Sequence, residues 1–253
     1  MGKLENKVAI ITGATGGIGA AMAEEFAKEG AKIVVVGTNE ERGQKTVDAV
    51  KSLGSTAFFR KTNLSSTADL QGLVDDAVAA YGKIDILVNN AGADDPITWT
   101  PGDVTEEEYD RVMSVNAKIP FFLSQKVAPI MKANGGGAII NTASIASTGA
   151  GRGPIIYTIS KHAILGVTRQ LAFYYGHDNI RVNCIEPGYI ATRMVKAAMQ
   201  DDSIPFVPLV KSSPAERPGE PSEIARVAVF LASDDASFLH GSEICADGGF
   251  TLI

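Results

Sequence analysis

The 253-residue sequence holds only two cysteines, three histidines and one tryptophan, and it has no excess of basic residues: 23 Lys and Arg stand against 29 Asp and Glu. Two cysteines exclude a disulfide framework. Cys184 and Cys245 form no CxxC pair, and each lies in a strand-like apolar segment, so both read as buried, reduced thiols. His162, His177 and His240 lack metal-ligand spacing with one another or with cysteine, and no metal site is expected. A net charge of −6 offers no basic stripe for a phosphate backbone, which removes nucleic acid from the expected partners. No apolar run approaches the ~20 residues of a membrane helix. The opening MGKLENKVAI has neither a signal-peptide core nor a small-residue cleavage site. Gly2 matches only part of a myristoylation signal, because Lys3-Leu4-Glu5-Asn6 lacks the Ser or Thr. A cytoplasmic protein without a membrane partner is the expectation.

What is present has the balance of a globular chain, with 45% hydrophobic and 21% charged residues. That composition argues against disorder and against a fibrous repeat. The length suits one large α/β domain. Short runs rich in Val and Ile alternate with helix-period segments. Strands are expected at Lys7–Thr12, Lys32–Val36, Thr56–Lys61, Ile84–Asn89, Ala138–Asn141, Ile180–Ile185 and Glu243–Ala246. Helices are expected at Ile18–Glu29, Glu40–Leu53, Thr67–Tyr81, Glu106–Lys132, Ile155–Tyr175 and Pro221–Ala232. This order is that of successive βαβ units, and strands without polar alternation need helices on both faces, a doubly wound parallel sheet. A single domain then uses residues 1–253. The stretch Tyr189–Gly219 breaks the alternation. It carries Met194, Met199 and Phe206 among Pro205, Pro208, Pro214 and Pro218, which suits a lid over a ligand, the alternative being a surface excursion or subunit contact.

Directly after the first strand comes Thr12-Gly13-Ala14-Thr15-Gly16-Gly17-Ile18-Gly19, running into the first helix. Gly13 can turn tightly, Gly17 lets backbone N–H groups approach a pyrophosphate, and Gly19 permits close helix-to-strand packing. The helix N-terminus adds unpaired donors and a partial positive charge, so a dinucleotide site is expected here. At the end of the second strand, Val36-Gly37-Thr38-Asn39 has no carboxylate to grip an adenosine ribose and repel a 2′-phosphate. Thr38 and Asn39 can donate, and Arg42 follows one turn later, so the reading leans to NADP(H) over NAD(H).

In the second half, Tyr157 and Lys161 stand at i and i+4 on one helix face, with Ser144 just after a strand. A phenol titrates near 10, so a neighbouring ammonium that favours phenolate would fit it for proton transfer, while Ser144 holds a carbonyl oxygen. Alone, such a pair occurs freely on amphipathic helices and is far more often a packed Tyr beside a solvated Lys. Asp94, Asp95, Asp103 and Glu106–Glu108 read as a solvated acidic loop and helix start, with Asp94 and Asp95 able to reach the pocket mouth. Trp99 reads as loop packing.

Taken in order, the Thr12–Gly19 loop, Asn89-Asn90-Ala91-Gly92, Asn116, Ser144, Tyr157-Thr158-Ile159-Ser160-Lys161, Arg181-Val182-Asn183, Pro187-Gly188, Thr192 and Asp247-Gly248-Gly249 resemble the short-chain dehydrogenase/reductase family over nearly the whole chain. The resemblance implies a seven-stranded Rossmann fold and a catalytic set of Asn116, Ser144, Tyr157 and Lys161. In it Tyr is the acid/base, Lys lowers its pKa and binds the nicotinamide ribose, Ser orients the carbonyl, and Asn116 holds a water joining Lys161 to solvent. It further implies cofactor contacts at Gly13, Thr15, Gly17, Ile18, Gly19, Thr38, Asn63, Leu64, Asn90, Ala91, Gly92, Tyr157, Lys161, Pro187, Ile190 and Thr192. Thr12 and Asn89 tie strands together. Asn63 stands where the family has Asp, and its carbonyl oxygen can still accept from the adenine amino group. The second strand has neither the family's Asp for NAD nor its Arg for NADP. The expected reaction interconverts a secondary alcohol and a ketone of small apolar character. A 3-oxoacyl thioester on an acyl carrier protein is the alternative, although Arg193, Lys196 and Lys211 beside Asp94, Asp95, Asp201 and Asp202 make no basic landing face. A dinucleotide binder without turnover is the reading from another class. A homotetramer or dimer is implied.

Overall fold

The structure, a computed structural model, describes residues 2–192, 195–196, 199–201 and 204–252. Arg193, Met194 and Asp202, which enter the readings above, lie outside the described residues.

Seven strands form one parallel sheet: β1 Val8–Thr12, β2 Lys32–Gly37, β3 Ala57–Lys61, β4 Ile86–Asn89, β5 Gly137–Thr142, β6 Ile180–Pro187 and β7 Glu243–Ala246, in the order β3-β2-β1-β4-β5-β6-β7. The pleat divides each central strand between two cores. Ala9, Ile11, Ile33, Val35, Ile86 and Val88 face α1 (Gly17–Lys28), α2 (Glu40–Ser52) and α8 (Pro221–Ala232) through Met22, Phe26, Val47, Val50, Ile224 and Ala228. Ile10, Val34, Val36, Leu87 and Ile139 face α3 (Leu70–Tyr81), α5 (Ile119–Ala133) and α6 (Ile155–Tyr175) through Leu70, Leu73, Leu123, Val127 and Leu171. Successive side chains of a strand point to opposite faces, so an unbroken apolar run needs helices on both sides. The expected doubly wound fold is therefore the one observed.

Strand order reverses between β1 and β4, and the crevice beyond the carboxyl ends of these two strands is where an open α/β sheet takes its ligand. Arg181 on β6 is buried and donates to the carbonyls of Leu231 (2.7 Å), Ser233 (3.0 Å) and Ala236 (3.2 Å), tying the end of α8 to the sheet.

Two expectations are corrected. Cys184 is buried but Cys245 is exposed, because β7 is the sheet's edge strand with no neighbour beyond it. The single helix expected over Glu106–Lys132 is instead α4 (Glu106–Met113), a π-helical turn at Ser114–Lys118, and α5. Pro120 explains the break: it has no N–H to give the carbonyl of Asn116, its α-helical partner. The ladder widens there, and Ile119 N donates to Ser114 O, five residues back. Wide turns of this kind gather at functional sites.

In the Tyr189–Gly219 excursion, α7 (Phe206–Ser212) lays Phe206 flat on Tyr189 with ring centroids 4.5 Å apart, and Phe250 meets the same Tyr189 edge-on at 5.2 Å. Ile145, Val210 and Phe250 form a small separate core with Tyr189, Met199 and Phe206 against it. Both ends of the excursion meet at its base, where Ala191 N donates to Gly219 O (2.7 Å) and Gly219 N to Tyr189 O (2.9 Å).

Candidate active site

The turn from β1 into α1 is shaped by close backbone approach. Gly13 has φ +66°, and a Cβ there would stand 2.8 Å from the Ala91 Cα. A Cβ on Gly19 would lie 2.4 Å from the Gly13 carbonyl oxygen and 2.6 Å from Asn90 Nδ2. Both contacts involve groups that cannot swing away, so the third glycine is a packing requirement. Gly19→Ala is expected to destabilise the fold by ~1–3 kcal/mol and to weaken dinucleotide binding at least tenfold, read from a urea midpoint and a fluorescence titration.

Thr12 and Asn90 hold this turn to β4. Thr12 Oγ1 donates to Val88 O (3.2 Å) and accepts from Asn90 N (2.9 Å) and Ala91 N (3.1 Å), while Asn90 Nδ2 donates to Thr12 O (3.0 Å). Deeper in the sheet, Asn89 Nδ2 donates to Asn141 Oδ1 (2.9 Å), whose own amide donates to Thr168 Oγ1 (2.9 Å). The sequence reading of Thr12 and Asn89 as strand ties agrees with these contacts.

A crevice of about 410 Å³ opens at the switch point. Gly13, Thr15, Thr38, Asn63, Leu64, Asn90, Ala91 and Gly92 from the expected cofactor set line it, together with Gly37, Thr62, Ser65, Ala93, Arg111 and Val115. The volume lies within the range of ligand sites, and Thr62 Oγ1 is buried there without a partner. Gly17, Ile18 and Gly19 lie in the first turn of α1, and the Thr192 methyl stands 3.8 Å from a Cβ placed on Gly17. Pro187 ends β6, and Ile190 bridges to Gly219. None of these residues lines the crevice, nor do Tyr157 and Lys161, although Lys161 Nζ stands 3.9 Å from a Cβ placed on the lining Gly92. The cradle, the volume and the unpartnered hydroxyl fit a dinucleotide.

One engagement differs from the sequence reading. Asn63 Oδ1 accepts from Ser65 N (3.0 Å) and Ser65 Oγ (2.9 Å), so the oxygen expected to meet adenine already closes a local turn. Asn39 Oδ1 accepts from Arg42 N (2.9 Å), capping α2, while the Asn39 amide NH2 and the Thr38 hydroxyl both remain exposed donors at that strand end, as expected. Among the described residues lining the crevice, Arg111 carries the one charge and no carboxylate is present.

The other cluster forms where β5 ends against α6. Ser144 Oγ accepts from Ala146 N (3.1 Å), and the Ser147 hydroxyl lies against both the Ser144 carbonyl and Glu186 Oε1 (2.7 Å). Lys161 is 3% exposed. Its Nζ donates to Thr142 O at 2.7 Å and stands 5.3 Å from the centre of the Tyr157 ring. Asn116, from the π-turn, accepts through Oδ1 from Ala93 N (2.8 Å) and donates through Nδ2 to Ala93 O (2.8 Å) and Ser160 Oγ (2.8 Å). Its side chain is thus a clamp between the Gly92–Ala93 turn and α6.

A family model described as enoyl-(acyl carrier protein) reductase matches residues 13–251. The cyclohexanol dehydrogenase of Acinetobacter sp. (strain SE19) is 38% identical over 249 residues, spanning 98% of this chain and 96% of that protein. The chain belongs to the short-chain dehydrogenase/reductase family. Two solved structures agree with this. A 7α-hydroxysteroid dehydrogenase complexed with NADH and 7-oxo glycochenodeoxycholic acid superposes with a TM-score of 0.91 at 39% identity, covering 97% of this chain and 94% of that one. Levodione reductase superposes at 0.92 with 32% identity, covering 98% and 99%.

As a short-chain dehydrogenase/reductase, the chain is an oxidoreductase of alcohol and carbonyl groups. Burial dominates the electrostatics at Tyr157 and Lys161. Burial pushes the Tyr157 phenol up from its ordinary value of 10.0; a side-chain hydrogen bond with Ser144 pulls it back, and the Asp94 carboxylate raises it further. Burial brings the Lys161 ammonium down from 10.5 to about 8. The phenolate-favouring effect expected of Lys161 is thus opposed by desolvation of the phenol itself.

Sequence reasoning missed Asp95. Read as a solvated acid, it is 4% exposed and accepts from Tyr157 N (2.8 Å) and Ile156 N (3.1 Å). A usable signal was present: Pro154 precedes α6 and has no side-chain acceptor, so the helix needs its cap from elsewhere.

Proposed function

We propose that this short-chain dehydrogenase/reductase interconverts a small apolar secondary alcohol and its ketone with NADP(H) favoured over NAD(H), Tyr157 serving as acid/base. The carrying observation is the buried Lys161 ammonium beside the Tyr157 ring, donating to Thr142 O. A nicotinamide dinucleotide would supply hydride transfer. Lys161 stays largely protonated below pH ~8, so it can favour a negative phenolic oxygen and hold a ribose hydroxyl. Ser144 can hold the substrate oxygen while Tyr157 Oη gives or takes its proton. The Asn116 carbonyl, deprived of its α-helical donor by Pro120, is the acceptor for the expected water. Gly13, Gly17 and Gly19 with the α1 N-terminus would cradle the pyrophosphate, and Asn90, Ala91 and Gly92 would line the nicotinamide half. Pro187, Ile190 and Thr192 close the other side.

Tyr189–Gly219 acts as the lid. Its base, where Ala191 N donates to Gly219 O and Gly219 N to Tyr189 O, supports a segment hinged at one place, and its apolar side chains pack into a small core of their own. The absence of a lining carboxylate and the open donors of Thr38 and Asn39 support tolerance of a 2′-phosphate, while the one lining charge, Arg111, is already paired with Glu108 (2.8 Å).

The test follows nicotinamide absorbance with both dinucleotides and a panel containing cyclohexanol, a hydroxysteroid and a 3-oxoacyl carrier-protein thioester. Turnover of an alicyclic or steroid alcohol, with tighter NADP(H) binding, is expected. Preference for the thioester would replace the substrate assignment, and dinucleotide binding without turnover of any alcohol or carbonyl would replace the enzyme assignment.

A further inference from the structure

The helix that carries Tyr157 and Lys161 is built without a cap of its own. Its N-cap residue is Pro154, with no side-chain hydrogen bond to the first turn. Of the first backbone donors, Thr158 N reaches Pro154 O (2.9 Å), while Ile156 and Tyr157 both donate to Asp95. Asp95 lies 62 residues before Tyr157, three positions after Gly92 in the loop that leaves the dinucleotide crevice. Each intervening residue is held. Ala93 is clamped at both N and O by Asn116, and Asp94 O accepts from the Arg111 guanidinium at 2.6 Å. The other end of the Tyr157 peptide unit belongs to the same network: Ser160 Oγ donates to Tyr157 O (2.7 Å) and accepts from Asn116 Nδ2.

We propose that Asp95 is a positioning residue for the hydride-transfer reaction, fixing the height and rotation of Tyr157 by gripping its own backbone amide from the loop that also lines the cofactor crevice. The inference rests on the acid/base role of Tyr157 given above. A carboxylate at a helix N-terminus contributes through charge-assisted hydrogen bonds, which any cap supplies. The particular feature here is the address of those bonds. The shorter of the two, from Tyr157 N (2.8 Å), ties the backbone of the residue whose hydroxyl must meet the substrate oxygen to the segment that directly follows the cofactor-lining turn, and the other holds its neighbour Ile156. A misplacement of about 1 Å in such a group can cost a hundredfold in rate. Loss of Asp95 therefore slows chemistry more than it weakens binding.

The experiment compares Asp95→Ala, Asp95→Asn and Asp95→Ser with the intact chain on cyclohexanol oxidation, measuring kcat, KM, dinucleotide affinity and amide hydrogen exchange at Ile156 and Tyr157. Asn keeps the shape but accepts one amide hydrogen, and Ser offers a shorter acceptor. The expected result is a kcat lowered about tenfold or more in Asp95→Ala, partial recovery in Asp95→Asn or Asp95→Ser, dinucleotide affinity within about twofold, and faster exchange confined to the first turn of α6. An unchanged kcat with a lowered melting temperature would mark Asp95 as a structural cap and overturn the proposal, as would a rise in KM alone. If Asp95→Ala does not fold, Asp95→Asn decides by the same criteria. Tyr157→Phe is run in parallel: if it keeps turnover, the acid/base reading has failed, whereas the exchange rates at Ile156 and Tyr157 report on the Asp95 grip independently of any activity.

Discussion

Replacing Tyr157 by Phe lowers turnover by ~10²–10⁴, the range for loss of a positioned general acid/base, while dinucleotide affinity stays within about twofold. The ring remains, and with it the packing beside Lys161 Nζ at 5.3 Å. What disappears is one oxygen. The crevice that holds the dinucleotide is lined by other residues, from Gly13 to Val115, and Tyr157 is absent from its walls. Rate and affinity therefore separate in this variant. Single-turnover absorbance with saturating dinucleotide reads the first and fluorescence titration the second. Retention of more than about a tenth of the intact rate would reassign the proton donor, with Ser144 the next hydroxyl in the cluster.

The phenol also gives this prediction a pH signature. Burial holds Tyr157 above its ordinary value, with Ser144 opposing and Asp94 reinforcing. Oxidation, which needs the deprotonated phenolate to accept the alcohol's proton, is expected to rise with pH across the neutral to alkaline range. Reduction, which needs it to donate, is expected to persist there. Asp94→Asn removes one of the two raising influences, so its oxidation profile moves to lower pH.

The fold was legible because its strands are continuous apolar runs: β1 reads VAIIT and is buried throughout, a pattern only helices on both faces can satisfy. Helices α6 and α8 were bounded correctly by Pro154 and Pro221. The break at Ser114–Lys118 was missed because helical periodicity continues across a π-turn, and only Pro120, four residues beyond Asn116, marks it. Cys245 was misjudged because a short apolar strand looks the same at the edge of a sheet as at its centre. In the candidate site, the glycines of the first turn were legible since their chemistry is local to the chain. Asp95 and the second role of Asn63 were not, because each depends on which backbone N–H lies opposite. Asp95 is matched to a helix start more than sixty residues away, and no local pattern in Ala93-Asp94-Asp95-Pro96 encodes that meeting.

Lys161→Met is the sharper test of the electrostatic argument, because activity is expected to fall while stability near neutral pH holds. Turnover falls at least a hundredfold, since the positive charge that favours a phenolic anion is gone. Stability at neutral pH does not fall with it. The ammonium is buried, and its pKa drops from 10.5 to about 8 on folding. That difference, at ~1.36 kcal/mol for each pH unit, is a cost to the folded state of ~3 kcal/mol. Because the folded value is depressed, the cost is fully present below pH ~8, shrinks between about 8 and 10.5, and vanishes above. Methionine fills a similar volume without the charge, at the expense of the donor to Thr142 O (2.7 Å), a loss of about 1–3 kcal/mol for a carbonyl left buried and unpaired. The two effects nearly offset near neutral pH, leaving the variant as stable as the intact chain or more so. As pH rises through 8 towards 10.5, the intact chain gains relative to the variant. Urea midpoints at pH 7 and pH 9.5 read this directly. A variant several kcal/mol less stable at pH 7 would show that the ammonium is held by interactions stronger than its single bond to Thr142, and that the lysine owes its place in the site to structure as much as to proton transfer.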